Sequence, residues 1–166
     1  MGDELIKKEN IFNLIVNTVS EIRELKKRFI NLNKVIGIFK EDSNKYNQEE
    51  ICKILKEELN NIINIFTNGS FIEEFEVIKD VIREYDKANT IIDGNLAYKP
   101  YDLVNEIEKS IKDLWWFITT SFFEEDIQKI FETTIIISNQ ITKNLNDLEE
   151  IFLSIYKRFE KLEEVK

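Results

Sequence analysis

Apolar residues recur at alternating steps of four and three along the first forty residues of the chain. The positions are Ile11, Ile15, Thr18, Ile22, Leu25, Phe29, Leu32, Ile36 and Phe39. Eight of these nine are apolar, which is the heptad pattern of a helix that buries one seam. The spacing predicts a first helix from about Glu4 to Lys40, followed by a polar loop.

The end of the chain carries the same alternation without a slip. The positions are Ile127, Phe131, Thr134, Ser138, Ile141, Leu145, Leu148, Phe152, Ile155, Phe159 and Leu162. The pattern predicts a last helix of about 40 residues, or roughly 60 Å at about 1.5 Å per residue. We expect the first and last helices to be long rods that pack on each other through their seams.

A second, shorter helix is predicted after the polar loop. Asn47 precedes it, and Glu50 three residues later completes a capping box,. The helix is expected to end at TNGS, where Gly69 suits the left-handed conformation that commonly follows a helix end.

Two further helices are predicted in the middle of the chain. Ser70 and Glu73 form a capping box that opens the third helix, whose apolar stripe continues to Ile92,. The segment LAYKPYD is then predicted to be the longest irregular connection. Proline is favoured in the first turn of a helix, so the fourth helix is expected to begin at Pro100 or Asp102.

The fourth and fifth helices are predicted to be separate, because their apolar registers disagree. Extending the last heptad pattern backward predicts core positions at Ser110, Asp113 and Phe117. The apolar stripe instead contains Ile111, Leu114 and Ile118. Ser121 and Glu124 spell another capping box, so we place a break near Ser121.

No segment shows the two-residue alternation of a strand, and only one proline and four glycines interrupt the chain. A chain of 166 residues fits one domain,. The sequence therefore predicts a single all-α domain over residues 1–166, an elongated antiparallel bundle of about five helices.

The stretch KDLWWFITTSFFEED, which begins at Lys112, holds more aromatic residues than one helix face accommodates. With Ile111 at the centre of the buried face, Trp116 lies about 140° and Phe123 about 120° away on one flank, which also carries Lys112. Phe117 lies about 120° away on the other side.

Two interpretations of these aromatic residues stay open. In the first, the fourth helix is an inner helix, and the apolar run TTIIIS at Thr133–Ser138 helps to cover it. In the second, Trp116, Phe117 and Phe123, with Lys112 beside them, form an exposed patch that docks a partner, because large aromatic side chains are enriched at binding hot spots.

The charge of the chain argues against nucleic-acid binding. The formal net charge is −9, whereas nucleic-acid binding requires a basic surface. The small basic cluster at Lys26–Arg28 is expected to pair with acidic helices. The chain also lacks an apolar run of membrane-spanning length and an apolar signal-peptide core, so we expect a cytoplasmic protein.

Several chemistries are excluded because the sequence contains no histidine. These are Ser-His-Asp and Cys-His catalysis, H-E-x-x-H zinc sites and Glu-x-x-His di-iron sites. No glycine-rich phosphate loop is present, and Cys52 is expected to be a buried thiol. Acidic residues near Glu73 and Glu124 are expected to favour helix N-termini rather than to bind a metal. We therefore expect neither catalysis nor a cofactor.

Three polar residues interrupt the long seams, namely Thr18, Thr134 and Ser138. Helical serine and threonine commonly donate to a backbone carbonyl of the preceding turn. We expect that arrangement here, and the alternative is that these hydroxyls line a small-ligand cavity inside the bundle.

Three functions are consistent with these patterns. The first is a non-catalytic interaction or scaffold module that binds another protein, or its own copy as a homodimer, through the aromatic flank of the fourth helix. The second is a small-molecule sensor bundle, since the layout of two long helices resembles that of bacterial sensory four-helix bundles. The third is an acidic inhibitor that occupies a basic surface of a partner, as a phage counter-defence protein does.

Overall fold

The computed structural model describes residues 2–42, 44–69, 71–87, 90–121 and 126–164. Throughout these ranges the regular structure is helical, without a strand. The elements are α1 (Gly2–Glu41), α2 (Gln48–Asn68), α3 (Phe71–Tyr85), α4 (Gly94–Ser121) and α5 (Ile127–Glu164). The predicted all-α class and the long first and last helices are confirmed.

The five helices form four rods. Both α1 and α4 pack against α5, and both also pack against α2 and α3. Consecutive helices α2 and α3 therefore share one position in the bundle, as a rod that is interrupted between Asn68 and Phe71. The rods follow one another around the bundle in an up-down-up-down order.

The core forms along the seams that the sequence predicts. All nine seam positions of α1 are at most 3% exposed. On α5 the seam is buried from Phe131 to Phe159, and its end positions, Ile127 and Leu162, are half-buried. Phe39 stacks on Phe131 and Phe12 contacts Phe159, so α1 and α5 are antiparallel and pack through the predicted seams.

Polar contacts fix the register of α1 against α5. Glu149 of α5 accepts hydrogen bonds from Arg23 Nε at 2.6 Å and from Lys26 Nζ at 2.7 Å. Asn33 donates to Asn139 at 3.2 Å. Burial alone would raise the pKa of Glu149, but the two cations outweigh it and lower that pKa. Lys26 thus pairs across helices as expected, whereas Arg28 pairs with Glu24 of its own helix.

The start of α2 agrees with the prediction, and its end does not. Asn47 caps the helix, because its side chain accepts from the backbone N–H of Glu50 at 2.8 Å. Gly69 follows the helix in an extended conformation with φ −79°, so the predicted left-handed glycine is wrong. A Cβ at this position would lie 3.2 Å from the Phe71 ring, which is closer than an ordinary van der Waals contact.

The predicted boundary between the third and fourth helices is also wrong. Helix α3 ends at Tyr85, and α4 begins at Gly94 rather than at Pro100 or Asp102. All of LAYKPYD, residues 96–102, is therefore helical. The buried carboxylate of Asp86 ends α3 by accepting from the backbone N–H of Ile91 at 2.7 Å.

The capping boxes predicted before α3 and α5 extend outside the described residues. Helix α4 ends at Ser121, as predicted, and α5 begins at Ile127. The capping boxes of Ser121 with Glu124 and of Ser70 with Glu73 each include a residue that is not described, and they stay predictions.

Candidate interaction surface on helix α4

Trp116 is turned away from the core of the bundle. Leu114 and Ile118, two residues before and after it, are fully buried, and a helix turns by about 100° per residue. The indole therefore points outward, and 69% of the residue is exposed. The interpretation in which neighbouring helices cover this tryptophan does not hold.

An open depression of about 420 Å³ lies beside Trp116. The lining residues are Ile63, Ile111, Lys112, Asp113, Trp115 and Trp116. Ile63 comes from α2, so the depression spans two rods of the bundle. Its walls are mostly apolar, with Lys112 and Asp113 as the charged residues.

A second depression follows along the same edge of α4. It measures about 310 Å³ and is lined by Phe66, Thr67, Gly69, Phe71, Ile72, Glu73, Val104 and Glu108. It lies where α2 gives way to α3. We call the two depressions together the α4 groove; the residues that α4 contributes to them lie between Val104 and Trp116.

The charged residues of the α4 groove are three acids and one lysine. Lys112 Nζ lies 2.9 Å from Glu108 Oε1, so these two residues form an ion pair one turn apart on α4. Asp113 and Glu73 are exposed and form no ion pair within the described ranges. The groove therefore presents a net negative charge around an apolar floor.

The predicted site residues occupy different positions. Trp116 and Lys112 line the same depression. Phe117 is half-buried against the core, so only part of its ring is available to a partner. Phe123 lies outside the described residues, and its position on the same flank as Trp116 stays a prediction.

Sequence reasoning missed the contribution of α2 to this surface. Ile63 is adjacent to the buried Ile62 but lies beside the buried stripe of α2, and Ile65 lies on the other side of that stripe. Two off-stripe isoleucines on one helix are a signal of a second apolar contact. Trp115 is half-buried; it packs against the core and also lines the groove.

The hydroxyls of the long seams divide into two groups. The Thr18 hydroxyl donates to the Leu14 carbonyl at 2.8 Å, as expected. Thr134 and Ser138 are fully buried, and their hydroxyls have no hydrogen-bond partner. The expectation that they bond their own helix is therefore wrong.

An acidic pair lies where α1 meets α3. Oε2 of Glu74 approaches the Thr18 hydroxyl closely, and one buried carboxylate oxygen of Glu21 lacks a hydrogen-bond partner. Burial, and next the negative charge of Glu74, raise the pKa of Glu21. Deprotonated Glu21 is therefore held at an energetic cost in the folded protein.

Within the described ranges, no three cysteine or carboxylate side chains are grouped to hold an ion. Cys52 is buried, as predicted.

Comparisons with protein-family models, with curated proteins and with solved structures return no match. Across the described ranges, none of the helices has an apolar stretch sufficient to cross a membrane.

Proposed function

We propose that this protein is a non-catalytic interaction module that binds another protein, or its own copy, through the Trp116 face of α4. The exposure of Trp116 beside an apolar depression supports the proposal. A tryptophan exposes a large rigid apolar surface, and such residues contribute disproportionately to binding when a partner excludes water around them.

The rest of the bundle serves as a scaffold for this surface. Trp116 is on a helix whose opposite face is held by fully buried residues such as Leu114 and Ile118. The backbone under the indole is therefore fixed before a partner arrives, which reduces the entropy that binding must overcome.

The proposal is tested by comparing Trp116→Ala with Tyr98→Ala. Tyr98 is a matched control, because it is another exposed aromatic residue on α4, at 72%, and it lies outside the α4 groove. Proteins that co-purify with the native chain and with the Tyr98 variant are expected to be lost from the Trp116 variant. If the partner is a second copy, light scattering at two concentrations should show self-association of the native chain and of the Tyr98 variant, and its loss in the Trp116 variant. If Trp116→Ala changes neither measurement, the proposal is wrong.

A second candidate, a sensor that holds a small molecule inside the bundle, is favoured by the unpartnered hydroxyls of Thr134 and Ser138. A ligand acceptor atom would satisfy them. In a thermal-shift screen of small polar metabolites, a stabilising compound should lose its effect in Thr134→Val. Stabilisation that persists in this variant would argue against the sensor.

A further inference from the structure

We propose that the partner presents a basic amphipathic helix, which lies along the α4 groove with its apolar side on Trp116 and Ile63. This inference rests on the proposed function and specifies the chemistry of the partner. Its three supports are the apolar floor of the groove, its length and its charge.

The groove is about as long as a short helix. Its ends on α4, Val104 and Trp116, are twelve residues apart, which corresponds to about 18 Å of helix. An occupant of about three turns would present two or three apolar residues at spacings of three and four. Trp116 with Trp115 and Ile63 would receive one end, and Phe66 with Ile72 would receive the other.

The rim of the groove selects for positive charge. Lys112 pairs with Glu108, whereas Asp113 at one end of the groove and Glu73 at the other have no ion pair in the described structure. Lysine or arginine residues flanking the apolar ridge of the incoming helix would meet these carboxylates. The net charge of −9 over the whole chain adds long-range attraction for a basic partner.

The same charges disfavour a second copy as the occupant. Two identical chains would each bring a net charge of −9, and repulsion between them opposes association at low ionic strength. A separate partner with a basic helix does not meet this penalty.

The probe is a fluorescein-labelled synthetic peptide of about 14 residues, with leucines at helical spacing and lysines elsewhere. Its matched control replaces each lysine by glutamate and keeps the leucines. In fluorescence anisotropy the lysine peptide is expected to bind and the glutamate peptide is not. Raising the salt concentration should weaken the binding, because the charges involved are exposed.

Variants then locate the bound peptide. Trp116→Ala should reduce the affinity for the lysine peptide by about tenfold or more, whereas Tyr98→Ala should leave that affinity unchanged. The double variant Asp113→Asn with Glu73→Gln should make binding of the lysine peptide less dependent on salt, because it removes two charges and leaves the apolar floor of the groove unchanged. Circular dichroism of each variant checks that the bundle is intact, and all four positions are exposed.

Three results would overturn the inference. They are equal binding of the glutamate peptide, an affinity for the lysine peptide that does not change in Trp116→Ala, and a Trp116-dependent dimer in light scattering. Any of them leaves the proposed function standing if co-purification still depends on Trp116. Loss of that dependence would remove the proposed function itself.

Discussion

Two hydroxyls in the core of α5 are buried without a hydrogen-bond partner. Thr134 and Ser138 are both 0% exposed, and an unsatisfied buried polar group costs about 1–3 kcal/mol. Thr134→Val keeps the shape of the side chain and removes the unsatisfied group. We expect this variant to raise the free energy of unfolding in urea by about 1 kcal/mol.

Thr18 provides the matched control for this experiment. It occupies a seam position on α1 and is equally buried, but its hydroxyl donates to the Leu14 carbonyl. Thr18→Val should therefore lower the free energy of unfolding. If both substitutions destabilise the protein, the hydroxyl of Thr134 has a partner in solution.

Glu21 should make the stability of the bundle depend on pH. Its pKa is raised above the ordinary value of 4.5, mainly by burial and secondly by Glu74. At Glu21 the folded state therefore binds a proton more tightly than the unfolded chain does, so the contribution of Glu21 to the free energy of unfolding should rise as the pH falls from neutral through this raised pKa,.

Glu21→Gln removes this contribution and should stabilise the protein at neutral pH. The measurement is the difference in urea stability between variant and native protein, taken from neutral to mildly acidic pH. The stabilisation should shrink as the pH falls, because the native carboxyl then becomes protonated. A difference that stays constant over this pH range for Glu21→Gln would refute the assignment.

At the scale of single helices, two glycines should respond oppositely to the same substitution. A Cβ at Gly37, inside α1, meets nothing within 4 Å, so Gly37→Ala should stabilise the protein by about 0.5–1 kcal/mol through helix propensity. A Cβ at Gly69 would press on the Phe71 ring and the Ile65 carbonyl at 3.2 Å and 3.3 Å. Gly69→Ala should destabilise the protein by about 1 kcal/mol or more.

Thermal or urea unfolding of the two alanine variants measures this difference directly. The extended φ of −79° at Gly69 is accessible to alanine, so crowding alone is under test there. Stabilisation by Gly69→Ala would mean that the Phe71 ring moves aside freely.

The long seams of α1 and α5 could be predicted from sequence because each depends only on local periodicity. The end of α3 could not, since Ile92 continues the apolar spacing of that helix. The deciding contact is the carboxylate of Asp86 on the backbone N–H of Ile91, which becomes visible only in three dimensions. Pro100 was equally misleading, because it occupies the second turn of α4 rather than its start.

The candidate surface was predictable only in part, because local periodicity places Trp116 but not Ile63. The outward position of Trp116 follows from its angle relative to Leu114 and Ile118 on one helix. Ile63 joins the surface through the packing of α2 on α4, and no local pattern relates residues so far apart in the chain.

For the whole molecule, a single core shared by all five helices should make unfolding one cooperative event. The buried residues form one continuous cluster, which is the condition for two-state behaviour in a small domain. Ile15 and Ile36 test this expectation, because both are fully buried isoleucines on α1, 21 residues apart. Replacing either by alanine should cost about 2–5 kcal/mol.

The two tryptophans report from one location, beside Ile63 of α2, whereas Ile15 lies beside Leu153 and Tyr156 of α5. Circular dichroism instead reports on all helices at once. If the bundle is a single cooperative unit, Ile15→Ala should shift the urea midpoint equally whether unfolding is followed by tryptophan fluorescence or by circular dichroism. Ile36→Ala should do the same. If the fluorescence midpoint of Ile15→Ala stays in place while its dichroism curve splits, the bundle unfolds as two units along its length.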